Sequence, residues 1–256
     1  ELTDVLKKQK EHLLAIEVTS PPNDGENEKR SLTGFNNQNF NLGGIWQPVH
    51  LRATGPIAFR HLRAVCVDAN PTVATLAVRA VVEATHPCLT IFKTKILGID
   101  HRHRQPLAAG ENRVEWIIRI PRPELWWPHE LGEQPLINAE FTLSTETGEI
   151  SDRREKQIGF RSVRMKGQHW LINGEKIFLR GANVAALSQD LAGITTESAN
   201  SCIEQALEAN LNLIRVKGHV THPSFYDAAD QAGMLVWQDM PLTGGYHRSV
   251  REQAMR

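Results

Sequence analysis

From Arg60 to Phe160 apolar and polar residues alternate in short runs broken by turn residues. Val114, Trp116, Ile118 and Ile120 alternate with Glu115, Ile117 and Arg119, the period of a half-buried strand. The pattern predicts strands at His61 to Val67, Val73 to Glu83, Leu89 to Leu97, Arg113 to Ile120, Leu136 to Ser144 and Glu149 to Ile158. Asn70-Pro71, His86-Pro87, Ala109-Gly110 and Thr147-Gly148 supply the turns between them. Short strands at this spacing over about a hundred residues describe an immunoglobulin-like sandwich. Ahead of it, Leu13 to Val18 and Gly43 to Leu51 read as strands around a solvated loop, Ser20 to Ser31.

After Gly167 the period changes. Lys176 to Arg180 reads as a strand. Thr195 or Thr196 caps a helix whose apolar face is Cys202, Ile203, Ala206, Leu207 and Leu211. Leu213 to Val216 and Met234 to Trp237 are strand-like and flank a short helix. Pro223 suits its first turn and Gly233 the left-handed residue past its end. The order β-α-β-α-β builds a parallel sheet and matches the opening of a (β/α)₈ barrel, which needs eight strands. Polar residues gather just past the strands, where parallel folds place their chemistry: Lys217 and His219, then Gln238 and Asp239.

Composition adds exclusions. Hydrophobic content of 41% and charged content of 23% are ordinary for a soluble globular chain. Lys plus Arg and Asp plus Glu are both 29, so electrostatics predict neither a nucleic-acid nor a membrane partner. No apolar run approaches the roughly 18 residues of a transmembrane helix. Cys66, Cys88 and Cys202 are odd in number and far apart, which argues against a disulfide framework and for a reduced, cytoplasmic setting. Nothing calls for a cofactor or a metal.

Four blocks carry a family resemblance. Leu42 to Leu51 reads L-G-G-I-W-Q-P-V-H-L, and Leu125 to Leu136 reads L-W-W-P-H-E-L-G-E-Q-P-L. Gln157 to Asn183 contains I-G-F-R-S-V and L-I-N-G-E-K-I-F-L-R-G-A-N. Asn212 to Asp239 contains N-L-I-R, F-Y, Asp230, Gly233 and L-V-W-Q-D. In this order they resemble glycoside hydrolase family 2, and L-V-W-Q-D its β-mannosidase branch. The resemblance implies a multidomain, mainly β chain. Residues 1–54 would end a jelly-roll sugar-binding domain, 55–162 form the immunoglobulin-like sandwich, and 163–256 open a (β/α)₈ TIM barrel. The first residues, E-L-T-D-V-L-K-K, resemble the middle of that jelly roll, so the chain reads as an internal fragment.

The family is a group of retaining glycosidases acting on β-linked sugars, a reaction that needs two carboxyl groups. The resemblance puts the acid/base in an Asn-Glu pair after the fourth barrel strand and the nucleophile after the seventh. Neither is reached here, and Asn27-Glu28 reads as a solvated loop, so the fragment is expected to carry no catalytic residue. What remains is candidate substrate-binding groups: Arg215, Asn183, Asp239, Lys217, Trp237 and His219. Arg215 either holds a sugar hydroxyl or carboxylate through its planar fork or ties strands together as an ion pair. Asn183, read as just past the first strand, donates to a hydroxyl or caps a turn. Asp239 faces a hydroxyl or a cation such as Arg215, because a lone buried Asp is costly. Trp237 points to the same side as Asp239 and is a stacking platform or core. Trp126, Trp127 and Trp46 read as packing anchors.

Departures bear on the sugar. Galactosidase-like members have His three residues after the Arg, where this chain has Gly218, and His219 is one step on. Mannosidase-like members have Trp two after the Arg; here it is Lys217, facing an anionic sugar or solvent. Asn36 to Asn41 holds no counterpart of the family's sugar-contacting Asp. Open edges on a three-stranded barrel opening also predict that the carboxyl-terminal part is partly disordered, rearranged or covered by a second copy through self-association. The rival reading is a non-catalytic carbohydrate-binding or scaffold protein built on the sandwich.

Overall fold

A computed structural model describes residues 11, 13–18, 45, 47–185, 187–188 and 193–240. Asn27-Glu28, Asn36 to Asn41 and Trp46 lie outside the described residues. Leu13 to Val18 does not form the expected strand: it is exposed and has no ladder partner among the described residues. Residues 47–51 likewise carry no strand.

The sandwich strands are β1 (Ile57–Ala69), β2 (Val73–Ala84), β3 (Cys88–Ile96), β4 (Ile99–Leu107), β5 (Gly110–Pro121), β6 (Ile137–Ser144) and β7 (Ile150–Ile158). They form two antiparallel sheets, β1-β2-β5 and β4-β3-β6-β7. In β5, Val114, Trp116, Ile118 and Ile120 are buried and the residues between them exposed, as the alternation requires. These side chains meet Leu76, Phe92 and Phe141 between the sheets. Each such burial removes apolar surface worth about 1.5–3 kcal/mol.

The sheets are pinned along β1 and β7 by buried polar groups with satisfied bonds. Ser151 Oγ accepts from the Ile57 amide (2.8 Å) and donates to its carbonyl (2.7 Å). Asp152 Oδ2 accepts from the Phe59 amide at 2.8 Å. Gly55 comes so close that a Cβ there would lie 2.6 Å from Ser151 Oγ, which only glycine avoids.

Strand β4 is absent from the sequence expectation. Between Ile99 and Leu107 its inward positions are His101, His103 and Gln105, so no apolar alternation marks it. It forms because β3, anchored in the core by Phe92 and Ile96 with the buried Thr90 and Thr94 between and beside them, offers it a complete ladder from Cys88↔Leu107 to Ile96↔Ile99.

Beyond the sandwich a small antiparallel sheet forms from β8 (Val163–Lys166), β9 (His169–Ile172) and β10 (Glu175–Ile177). It corrects the strand expected at Lys176 to Arg180, whose first residues complete this hairpin. The first parallel strand is β11 (Gly181–Val184), short and small at its start, so no apolar run announces it. Then follow α1 (Thr196–Glu208), β12 (Leu213–Val216), α2 (Pro223–Ala232) and β13 (Leu235–Gln238). The parallel sheet runs β11-β12-β13. Thr195 caps α1 in a reciprocal box with Ser198. Pro223 opens α2, and Gly233 ends it at φ 71°. Both helices cover one face of the sheet, burying Ala199, Ile203, Phe225 and Ala228 against Ile214 and Val216.

Candidate functional site

Covering one face leaves the other to carry polar chemistry. Registers are Asn183↔Arg215 and Arg215↔Trp237, so these three residues form one row across the uncovered face. Asn183 lies inside β11, not past its strand as the sequence suggested. One step further along, the ladder continues: the Lys217 amide donates to Val184 O (3.3 Å) and the Asp239 amide to Val216 O (3.1 Å). Lys217 and Asp239 therefore stand side by side at the carboxyl ends of β12 and β13, on the face of Arg215.

Arg215 meets Asp239 side-on. Its Nε donates to Oδ1 and Oδ2 at 3.2 and 3.0 Å, and Nη2 to Oδ2 at 2.7 Å. These bonds hold the guanidinium even more firmly protonated than usual. The pair is open to solvent, with 45% of the Arg215 side chain and 22% of Asp239 accessible. It thus takes the ion-pair option left open for both residues, while keeping groups free to face a ligand.

Trp237 is half exposed and stands edge-on to Trp170 of β9, centroids 6.1 Å apart. Beside it a cavity of ≈ 380 Å³ runs between β13 and the β8–β10 hairpin, lined by Trp126, Arg161, Asp230 and Leu235 among others. His219 does not join the face: it is buried, with Nδ1 3.0 Å from Lys217 O.

A network missed in the sequence holds the loop that carries Lys217. Tyr226 of α2 donates to Gln238 Oε1 at 2.5 Å, and Gln238 Nε2 donates to the His219 and Asp239 carbonyls, each at 2.6 Å. Burial raises the Tyr226 hydroxyl above its usual range, against the Thr221 amide, so it remains a donor. A tyrosine one position past the core residue Phe225 gives no signal in periodicity that it reaches the strand end.

A second cluster fixes the sheet to the sandwich-side loop 123–134. Asn212 is fully buried; its Nδ2 donates to Glu130 Oε1 (2.6 Å) and Phe178 O (2.9 Å), and its Oδ1 accepts from the Arg180 amide at 2.9 Å. Arg180 also pairs with Glu130. Burial works to raise the Glu130 carboxyl, but the Arg180 and Asn212 bonds prevail and hold it below the usual range. Trp126 is buried as expected of an anchor; Trp127 is half-buried, its amide bonded to Glu133 O at 2.9 Å. Cys66, Cys88 and Cys202 are free and half-buried. Among the described residues no group of three or more His, Cys, Asp or Glu could hold a metal.

Residues 69–161 match the family described as "Glycosyl hydrolases family 2". The chain is 29% identical over 224 residues to a mannosylglycoprotein endo-β-mannosidase of Lilium longiflorum, covering 78% of this chain and 23% of the relative. It is 27% identical to an exo-β-D-glucosaminidase of Hypocrea jecorina, covering 77% of this chain and 23% of that protein. The chain thus spans about a quarter of the length of these curated relatives. In fold it is similar to the exo-chitosanase of Amycolatopsis orientalis, with TM-score 0.65 and 24% identity, over 73% of this chain and 23% of that one. By these matches the chain is similar to glycoside hydrolases of family 2, β-mannosidases and exo-β-D-glucosaminidases among them.

Proposed function

We propose that this chain is part of a retaining glycoside hydrolase that cleaves terminal β-linked sugars, in the manner of a β-mannosidase. In this reading residues 1–54 close a jelly-roll sugar-binding domain and residues 163–256 open a TIM barrel whose later strands bring the two carboxylates. The chain itself then supplies groups that hold the sugar and is inert as a catalyst. The observation that carries the reading is the row Asn183–Arg215–Trp237 with Asp239, at the carboxyl ends of three parallel strands. It combines a planar donor, an amide, a carboxylate and a half-exposed indole, the mix that recognises hydroxyls and the apolar face of a pyranose.

The rival reading places sugar binding on the sandwich without catalysis. It needs exposed aromatic platforms there, yet Phe59, Phe92, Trp116 and Phe141 are all buried. Titration of the chain with a methyl β-mannoside, followed by saturation-transfer NMR, tests the choice. Binding lost in Arg215→Met supports the parallel-sheet face. Binding unchanged in Arg215→Met and in Trp237→Ala removes the sugar site from this face.

A further inference from the structure

Charge on the uncovered face is not balanced. Arg215 and Asp239 neutralise each other through a side-on pair. Lys217 stands next to Asp239 in the continued ladder, exposed, and no carboxylate pairs with it among the described residues. Asn183 and Trp237 contribute no charge. Among the described residues, two cations against one carboxylate leave this row with one positive charge in excess, carried by Lys217.

The position of that charge is fixed by more than the strand. The Lys217 amide is tied to Val184 O, and its carbonyl lies 3.0 Å from His219 Nδ1. The His219 carbonyl in turn accepts from Gln238, which Tyr226 orients. The backbone beneath the ammonium is therefore held between β11, β13 and α2, while the side chain stays free to reach a ligand. A lysine ammonium is a compact, flexible point charge, suited to meeting one anionic group and to repelling another ammonium.

We propose that Lys217 is a specificity-determining residue that makes this face favour a pyranoside bearing a carboxylate and reject one bearing a protonated amine. The inference rests on the sugar-binding reading above. A unit charge held roughly 4–6 Å from a ligand charge in a partly solvated cleft changes affinity by about tenfold in either direction.

The test uses three ligands that differ in one group: 4-nitrophenyl β-D-glucuronide, β-D-glucoside and β-D-glucosaminide. Each is titrated into the ¹⁵N-labelled chain at pH 6 with the Trp237 indole as reporter. The expected order is glucuronide, glucoside, glucosaminide, the extremes about tenfold apart or more, with the spread shrinking in high salt. Lys217→Gln should flatten the order and Lys217→Glu reverse it, without unfolding, since the side chain is exposed. Equal affinity for all three, or an order that survives both substitutions, overturns this inference and leaves the sugar-binding reading standing. Failure of all three to bind while the methyl β-mannoside still binds overturns this inference alone, and failure of the mannoside as well takes both down.

Discussion

The indole nitrogen of Trp126 donates to the backbone carbonyl of Asp230 over 2.7 Å, joining positions 104 residues apart. That carbonyl lies in the last turn of α2, where helix carbonyls have no partner within the helix. Arg161 completes the joint: its guanidinium carbon sits 4.4 Å over the Trp126 ring and its Nη2 reaches Asp230 Oδ1 at 3.2 Å. Burial raises the Asp230 carboxyl while Arg161 pulls it down. Trp126→Phe keeps most of the apolar bulk but orphans the carbonyl and weakens the stacked cation. Urea unfolding should show a loss of about 2 kcal/mol. A variant as stable as the parent would show that the joint contributes nothing.

The neighbouring cluster is more exacting. Asn212→Ala leaves both the Phe178 carbonyl and the Arg180 amide without their side-chain partner in a fully buried setting. Each orphaned group costs about 1–3 kcal/mol, so a total near 3 kcal/mol is expected from chemical denaturation. Asn212→Asp should fare no better, because it cannot donate to Phe178 O and sets a carboxylate beside Glu130. Should Asn212→Ala unfold at the parent's urea midpoint, these bonds are not what secures the sheet to the loop.

How legible the chain was depended on whether local period carried the information. The apolar strands of the sandwich were readable within a few residues, as were Thr195, Pro223 and Gly233 at the helix ends, because each rests on nearest-neighbour chemistry. Gly233 shows the limit even there. Its φ of 71° was readable, but not that a Cβ would come within 2.5 Å of the His129 amide. β4 was invisible since His101, His103 and Gln105 fill the inward positions between Ile99 and Leu107, and β11 since Gly181 and Ala182 carry no apolar signal. At the site, Arg215, Asp239 and Trp237 could be placed on one face from alternation alone. Asn183 was displaced by the error in β11. The Tyr226–Gln238 and Glu130–Asn212 links were out of reach, because each joins side chains whose meeting depends on packing between separate elements.

His103 should make the sandwich sensitive to acid. Its ring stacks on Phe92 at 4.7 Å and lies 5.2 Å from Trp116, and neither ring nitrogen has a hydrogen-bond partner. Burial first, then the neighbouring His101, push its proton affinity below the ordinary histidine value. The folded state therefore prefers the neutral ring, and the unfolded chain takes up the proton first. This contribution is intact above about pH 6.5 and is lost as pH falls below it toward the lower folded value. Urea midpoints at pH 7.5 and 5.0 should drop further for the parent than for His103→Leu. Equal drops would mean that His103 does not titrate against folding.

Strand β13 carries the last expectation. Among the described residues it pairs with β12 alone, as does β11, so each presents a free row of backbone donors and acceptors. On β13 that edge lies beside a half-exposed Trp237 and an apolar-walled cavity. An edge strand with an unpaired row of N–H and C=O groups is a template for another strand. The chain should then associate in a concentration-dependent way in sedimentation velocity. Val236→Pro, which removes the backbone donor that points outward from this edge, should shift it toward monomer. A second copy pairing through β13 would also shield Trp237, so its fluorescence should move to shorter wavelength as association proceeds. A sharp monomer boundary at every concentration would mean that this edge is not available for pairing.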